Sequence, residues 1–326
     1  MLSIGVFPVL SYGQDAIDFR IGRTPYRISL AAGGGALWGQ AEEIVYKYSD
    51  TDDYLSELLW DLKPLVYLGS SLFFSRGDPL AGLGAAVELS VKFGLPLSTG
   101  TMEDRDWYDP YVPDNNYDDT YLTNFSSHDA TNKGANHRAM LLDVSGGITI
   151  PVKSAVAIKA LVSFSYMRFS WIAQDGYREY MREGGVKIPM QGAGITYDQY
   201  WLIFSPGLGL SWPVNRVLGL DFHFFGSPLI FAWDEDVHLL TKMRYRDTMR
   251  WGLYLEPGLD FSLAFNRYLS LVLQGSWRYI SGARGDTTAT REGSPYSSTF
   301  TNEAGAGYSA FDGGLLLKIA LPLGFH

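Results

Sequence analysis

Residues 83–95 read LGAAVELSVKFGL, and every odd position in this stretch is apolar. The even positions include Glu88, Ser90 and Lys92, so polar and charged side chains alternate with the apolar ones. Successive side chains of a β-strand point to opposite faces, whereas an amphipathic helix repeats about every 3.6 residues. The stretch therefore predicts a strand with one apolar face and one face that carries charge.

The same alternation recurs in residues 156–164, 218–224, 269–279 and 315–323. A soluble β-sandwich would turn the apolar faces toward its core, whereas a membrane β-barrel turns them toward lipid around a polar interior. Charged residues recur in the middle of many strands, which favours the barrel. They predict an interior network of Glu88, Lys92, Asp143, Lys159, Asp221, Arg250, Glu256, Arg278 and Lys318.

The connections between the predicted strands alternate in length, as they do in barrels with short turns at one end and long loops at the other. Tight turns are predicted at Arg76–Pro79, Pro151–Ser154, Pro213–Arg216 and Phe265–Arg267. Long polar loops are predicted near 107–136, 176–192 and 284–302.

The fold prediction is an all-β protein, a single closed antiparallel transmembrane β-barrel over residues 1–326. Several strands are about twice the 9–11 residues that a tilted strand needs to cross a bilayer. The surplus should project beyond the membrane on the side of the long loops. The predicted strands, about ten, lie near 28–47, 56–74, 83–104, 137–152, 156–174, 193–212, 218–238, 244–263, 269–283 and 303–322.

Composition narrows the choice of partners. The formal charge of −9 and the pI near 5.0 argue against nucleic acid and favour cationic substrates. The sequence has no cysteine, which excludes disulfides and thiolate metal sites. Residues 1–20 are interpreted as a leader or the remnant of a signal, although the apolar segment Met1–Leu10 lacks the basic residues that open a secretory signal.

Two acidic clusters, at residues 104–106 and 234–238, end the third and seventh predicted strands. The inward parity of Glu88 and Lys92, carried forward, places Asp104 and Asp106 on the inner face. In the second cluster Asp234, Asp236 and His238 share one face, but strict parity would turn them toward lipid. A bulge near Ser227–Pro228 is therefore required to bring them inside, because proline cannot donate to the ladder and commonly marks a bulge.

A carboxylate pair facing a carboxylate–imidazole pair could hold and activate water, since a histidine accepts a proton near neutral pH. No serine or cysteine stands in a recognisable nucleophile motif, so water is the better nucleophile. A metal site is disfavoured, because the chain has five histidines and no helical His pair. A glycosidase could also use paired carboxylates, but a histidine in the constellation fits proteolysis better.

At these residues the chain resembles the omptins, ten-stranded outer-membrane endoproteases. Residues 102–107, MEDRDW, are similar to the family's Asp-x-Asp-Trp segment, and residues 234–238, DEDVH, to its Asp-x-Asp-x-His segment. The resemblance implies hydrolysis of peptide bonds by a water held between Asp104 and His238, with Asp106 and Asp236 in support. It also implies that Glu43 and Asp234 form an acidic pocket for a basic side chain. An ordinary exposed carboxylate is the alternative reading of Glu43.

The sequence departs from the family pattern at other positions. The family's acidic residue for a second basic side chain aligns near Asn124, a neutral amide. Arg168 keeps one member of the family's lipopolysaccharide site, but Phe164, Tyr166 and Tyr200 replace its other polar members. We therefore do not expect dependence on lipopolysaccharide. We still expect Arg168 and Arg246 to contact some anionic lipid, and no other cofactor is expected.

The leading hypothesis is an endopeptidase of the bacterial outer membrane whose active site faces the cell exterior, acting on basic peptide or protein substrates. Two alternatives remain at this point. One is a non-catalytic outer-membrane barrel, such as a porin, an adhesin or a structural protein. The other is a member of the same family that keeps the fold without the activity.

Overall fold

The computed structural model describes residues 19–21, 24–77, 83–107, 122–133, 139–153, 156–181 and 184–321. The suggested leader lies outside these residues except for its last two positions. The described residues form sixteen β-strands, all of them in antiparallel ladders of one sheet. These are β1 (Phe19–Ile21), β2 (Thr24–Tyr46), β3 (Tyr54–Arg76), β4 (Gly84–Gly94), β5 (Ser98–Asp106), β6 (Asn124–Asn132), β7 (Met140–Lys153), β8 (Val156–Tyr180), β9 (Lys187–Pro189), β10 (Ala193–Pro213), β11 (Leu218–Ser227), β12 (Ile230–His238), β13 (Met243–Arg250), β14 (Leu253–Ala264), β15 (Leu269–Arg291) and β16 (Ser297–Ala320).

The sheet closes on itself at two levels. At the lower level the ring runs β2-β3-β4-β7-β8-β10-β11-β14-β15-β16 and returns to β2. At the upper level β5, β6, β12 and β13 replace β4, β7, β11 and β14 in the same ring. Each level therefore contains ten strands, and the predicted closed barrel of about ten strands is confirmed.

The outer face of the lower ring is apolar. Large hydrophobic side chains remain exposed on its strands, as expected where the solvent is lipid. In the part of the chain that the structure describes, no helix is long and apolar enough to cross a bilayer. The exposed residues include Leu30, Leu72, Val87, Leu89, Ile148, Val162, Leu208, Phe222, Leu273, Leu315 and Leu317.

The inner face of the lower ring holds the predicted ionic network. The Arg278 guanidinium lies 2.9 Å from a carboxylate oxygen of both Glu256 and Asp143. Lys92 pairs with Asp312, and Lys159 pairs with Asp221. One predicted member is wrong. Arg250 is exposed on the outer face, with its guanidinium carbon 5.7 Å from the centre of the Phe231 ring.

Two long strands, β11–β12 and β13–β14, change face where the two levels meet. On β11 the odd positions point inward, whereas on β12 the even positions do, and the change falls at Pro228 and Leu229. The bulge predicted near Ser227–Pro228 is therefore confirmed. β13 and β14 change face at Trp251 and Gly252, and this second switch is what turns Arg250 outward.

The predicted long loops are partly wrong, because strands continue into them. β6 lies inside the stretch predicted as the first loop. The second loop was predicted to begin at residue 176, but β8 continues to Tyr180. β15 and β16 occupy most of the third predicted loop. The error arises because these strand ends are polar on both faces, so they lack the alternation that lipid imposes lower down.

Candidate active site

Asp104 and Asp106 lie on the inner wall of β5, above the apolar belt. Two irregularities separate this wall from β4, where even positions also face inward. Around Pro96 the parity reverses, so that Thr99 is buried, and a bulge at Gly100 restores it before Met102. The predicted inward placement of Asp104 and Asp106 is therefore correct, although two reversals that cancel produce it.

Asp234, Asp236 and His238 line the inner face of β12 beyond the bulge at Pro228. The Nε2 atom of His238 lies 2.6 Å from an Oδ atom of Asp236, so the carboxylate holds the ring by one nitrogen. Asp236 keeps 2% of its side-chain surface exposed, whereas His238 keeps 29%. Asp236 thus holds the imidazole through Nε2, while part of the ring remains exposed to the crevice.

The two clusters face each other across the upper barrel, because β5 and β12 are four steps apart on the shorter side of that ring. Burial and the Asp106 charge raise the pKa of Asp104 to about 8, with His238 opposing the shift. Burial lowers the pKa of His238, but the charge and hydrogen bond of Asp236, together with Asp104 and Asp106, outweigh it and raise that pKa to about 9. Each cluster therefore acts electrostatically on the other.

Ser56 is a neighbour of this site that the sequence reasoning missed. It lies on β3 opposite Asp106, and its hydroxyl is within hydrogen-bond reach of both Asp104 and Asp106. Asn124, on β6 opposite Asp106, donates to that carboxylate over 3.5 Å. Asn124 therefore stands beside the carboxylate pair and supports it. Sequence analysis singled out Asn124 but not its contact with Asp106. Only the pairing of β5 with both β3 and β6 places Ser56 and Asn124 beside the carboxylates.

Glu43 and Asp234, the two residues of the predicted acidic pocket, are both buried close to Asp236. Each is 3% exposed, so the reading of Glu43 as an ordinary exposed carboxylate is wrong. Burial, followed by the charges of Asp236 and Asp234, raises the pKa of Glu43 well above its usual range. Burial also raises the pKa of Asp234, with Asp247 adding to the shift. One oxygen of each carboxylate is buried without a hydrogen-bond partner.

Asp247 is a third carboxylate at this pocket, and the sequence reasoning did not identify it. It lies on β13 directly opposite Asp234 and is 2% exposed. Residues 239–242 form the turn of the β12–β13 hairpin, which fixes the pairing of His238 with Met243 and hence of Asp234 with Asp247. If the sequence had been interpreted as a hairpin with its turn at residues 239–242, the resulting register would have placed Asp247 opposite Asp234.

Stacked aromatic rings form a floor beneath the carboxylates. Trp60 stacks on Trp171 at 5.6 Å and on Tyr197 at 5.3 Å between ring centres, and these three side chains are fully buried. The Tyr197 hydroxyl donates to Asp234 over 3.1 Å and accepts from Gln199. The floor excludes water from below, which explains why burial leads the causes of the raised pKa values above it.

Arg168 and Arg246 lie on the outer face, as their predicted contact with lipid requires. Arg168 stands 5.3 Å from the centre of the Tyr200 ring and 3.6 Å from Asp198. Arg246 is exposed and donates to Glu235 over 2.8 Å. β8, β10, β12 and β13 are adjacent, so both arginines belong to one outward surface above the apolar belt.

A family model described as the omptin family matches residues 24–319. The chain belongs to the omptin family. Two curated relatives agree, each 23% identical to this chain: the outer membrane protease IcsP of Shigella flexneri, over 88% of both chains, and the outer membrane protease OmpP of Escherichia coli strain K12, over 81% of both.

The solved structure of the outer membrane protease OmpT from Escherichia coli matches with a TM-score of 0.76 and 19% identity, over 90% of this chain and 97% of that one. This likeness shows that the two chains share the barrel fold. Together the matches place the chain in a family of outer-membrane proteases built on a β-barrel.

Proposed function

We propose that the protein is an outer-membrane endopeptidase that hydrolyses peptide bonds next to basic residues, using a water activated between Asp104 and His238. One observation carries the proposal. The Asp236–His238 pair faces the Asp104–Asp106 pair across one crevice. Beside them lie the buried carboxylates of Glu43 and Asp234, each with one oxygen that has no hydrogen-bond partner.

In the proposed reaction Asp104 accepts a hydrogen bond from the water, and His238 removes its proton as the oxygen attacks the carbonyl carbon. His238 then donates that proton to the leaving amine as the carbon–nitrogen bond breaks. Because Nε2 of His238 is bonded to Asp236, the other ring nitrogen, Nδ1, is the atom that would exchange the proton. Asp236 orients the ring and stabilises its protonated form.

The acidic pocket would select the basic side chain next to the scissile bond. The strongest charges that act on Glu43 are other carboxylates, so a cation would lower the free energy of the whole group. Arginine or lysine could donate to the buried oxygens of Glu43 and Asp234 that lack partners. A neutral side chain would leave these oxygens without donors, which is costly in a buried site.

The experiment is cleavage of a quenched peptide with one central arginine by the refolded protein in detergent with added anionic lipid. His238→Ala and Asp104→Asn should each lower kcat by about 100- to 10,000-fold, the usual contribution of general acid–base groups. Glu103→Gln is the matched control, since Glu103 lies one residue before Asp104 and pairs with Arg105 at 2.6 Å. Full activity in both site variants would overturn the mechanism.

The same assay separates the endopeptidase from a non-catalytic barrel. A wild-type protein that leaves arginine peptides intact at every lipid concentration would favour the non-catalytic alternative. Replacing the central arginine by glutamine should abolish cleavage. Equal cleavage of both peptides would show that the acidic pocket does not select the substrate.

Two features of location belong to the proposal. We expect the crevice to face the cell exterior, so intact cells should cleave a peptide that cannot cross the outer membrane. We also expect an anionic lipid to bind at Arg168 and Arg246, because both arginines lie on one outward surface. Omitting the lipid should lower activity in the wild type, and Arg168→Gln should reduce this dependence.

A further inference from the structure

The acidic pocket contains one carboxylate more than a single bound cation needs. We infer that Asp247 is a third ligand for the cation that this pocket takes, and that the empty pocket holds a proton which the cation displaces. The inference rests on the proposed function in taking that cation to be the basic side chain of the substrate. It assigns a role to a residue outside the pair Glu43 and Asp234.

The position of Asp247 supports the first part. Its strand partner is Asp234, so the two side chains stand side by side on the inner wall of the β12–β13 hairpin. One Oδ atom of Asp247 is buried without a hydrogen-bond partner, as is one oxygen each of Asp234 and Glu43. These three buried acceptors lack donors, and Glu43 is near enough for the charges of Asp234 and Asp247 to raise its pKa. A guanidinium carries five N–H donors and an ammonium three, so one basic side chain could serve all of them.

The surroundings of Asp247 support the second part. β12 contributes Asp234 and Asp236, β2 contributes Glu43, β10 contributes Tyr197, and β15 contributes the Thr287 hydroxyl. Burial and the Asp236 charge raise the pKa of Asp247 to about 7, against the lowering effect of a hydrogen bond from Thr287. None of these groups is a cation. His238, on the same face of β12, carries positive charge when protonated, but its ring is paired with Asp236.

A pocket with this composition cannot hold all of its carboxylates ionised at neutral pH without a counter-ion. Like charges close together in a buried site disfavour joint ionisation, and a proton resolves the conflict in the empty state. An entering cation supplies the positive charge instead, so the proton leaves. The affinity of the pocket for a cation should therefore increase with pH through the range near neutrality.

The test uses benzamidine, a planar aromatic amidinium, and the full-length protein refolded in detergent. Isothermal titration at pH 7 in two buffers with different ionisation enthalpies measures both the affinity and the number of protons released. We expect about one proton to be released by the wild type. In Asp247→Asn the affinity should fall by about ten- to hundredfold, with a matching loss of proton release.

Glu235→Gln is the matched control, because Glu235 neighbours Asp234 in sequence but bonds to Arg244 and Arg246 on the outer face. It should bind benzamidine as the wild type does. Asp247→Ser serves as a second variant that removes the charge with a smaller side chain. Wild-type affinity in both Asp247 variants would overturn the role of Asp247, and binding without proton release would overturn the exchange.

This titration does not depend on catalysis, so its result is separable from that of the cleavage assay. Benzamidine binding that requires Asp247 would support the inference even if no peptide were cleaved. Suppose instead that cleavage requires Asp104 and His238 but that benzamidine binds equally well without Asp247. This result would support the proposed function and overturn only the inference.

Discussion

Among the three consecutive acidic residues 234–236, Asp234 and Asp236 face the barrel interior, whereas Glu235 faces outward. Asp234 points into the pocket, where burial raises its pKa. Glu235 points outward, where hydrogen bonds and charges of Arg246 and Arg244 outweigh its partial burial and lower its pKa. The alternation of a strand alone separates the two by one residue. At this scale, the face on which a carboxylate lies decides whether it serves chemistry or solubility.

The pH dependence of cleavage should reveal the proton affinity of His238. The ring must be neutral to accept a proton from water, and its pKa is raised to about 9, so its basic form accumulates as pH rises. Asp104, with a pKa raised to about 8, ionises in the same direction. We therefore expect kcat/KM for an arginine peptide to rise between pH 7 and pH 9, since kcat/KM reports the free enzyme.

Asp236→Asn should move this profile. Removing the Asp236 charge lowers the pKa of His238, so the rising limb should shift toward lower pH, while the maximum falls because the ring loses its orienting partner. Glu235→Gln should leave the limb in place. A limb at the same pH in the wild type and in Asp236→Asn would show that another group controls the profile.

At the scale of the strand, reversals of the inward-facing side allow one barrel to have an apolar outer surface in the membrane and an acidic crevice above it. Below them the apolar residues must face lipid, and above them the acidic residues must face inward. A strand of unbroken parity could not satisfy both demands on β11 and β12. The interruption at Pro228 reverses the faces, and Trp251 with Gly252 does the same between β13 and β14.

The close approach of β13 and β15 offers a test of this region. A Cβ atom at Gly285 would collide with the Thr248 carbonyl oxygen and lie 2.8 Å from the Met249 Cα atom. Gly285→Ala should therefore displace β13, destabilise the upper barrel by about 1–3 kcal/mol and weaken benzamidine binding next to Asp247. Isothermal titration and denaturant unfolding in detergent provide the measurements.

Gly275→Ala is the control for this substitution. Gly275 lies on the same strand lower in the barrel, and the nearest atom to its added Cβ would be a Phe311 side-chain carbon at 3.5 Å. It should leave cation binding intact. Equal effects of the two substitutions would show that glycine loss on β15, rather than the spacing of β13, is responsible.

At the scale of the whole molecule, the lumen is filled. The aromatic floor of Trp60, Trp171 and Tyr197 lies beneath the crevice, and the ionic network around Arg278 lies in the lower ring. Both are built from residues far apart in the chain, so they also join opposite walls. This filling opposes a role as an open channel, since a porin needs a continuous aqueous path.

Arg278→Met tests how much the network contributes to stability. The substitution would leave the carboxylates of Glu256 and Asp143 buried without their arginine, and breaking a buried pair in this way costs about 3–5 kcal/mol. Denaturant unfolding in detergent should show this loss. Arg250→Met, which removes an exposed outer-face arginine, should change the free energy of unfolding by far less. Similar losses in both variants would contradict the assignment.

How much of the site could be predicted varies from residue to residue. The two Asp-x-Asp segments and the bulge at Pro228 were accessible because they depend on residues adjacent in sequence. Asp247 depends on one hairpin turn and was accessible in principle. Ser56 was not, because its approach to Asp104 follows from the pairing of β3 with β5 across a break in the ladder. Arg250 was wrongly predicted to face the interior, because the change of face at Trp251 has no proline that would mark it in the sequence.

The alternation of apolar and polar residues determined that this chain forms β-strands, and the charges in the middle of those strands favoured a membrane barrel over a soluble sandwich, because a barrel in lipid turns its polar face inward. The acidic segments likewise determined which residues could carry chemistry. Only the tertiary structure decided which of them meet. Closure of the ring sets the register between distant strands, and that register brings Glu43, Asp234 and Asp247 into one buried pocket beside His238.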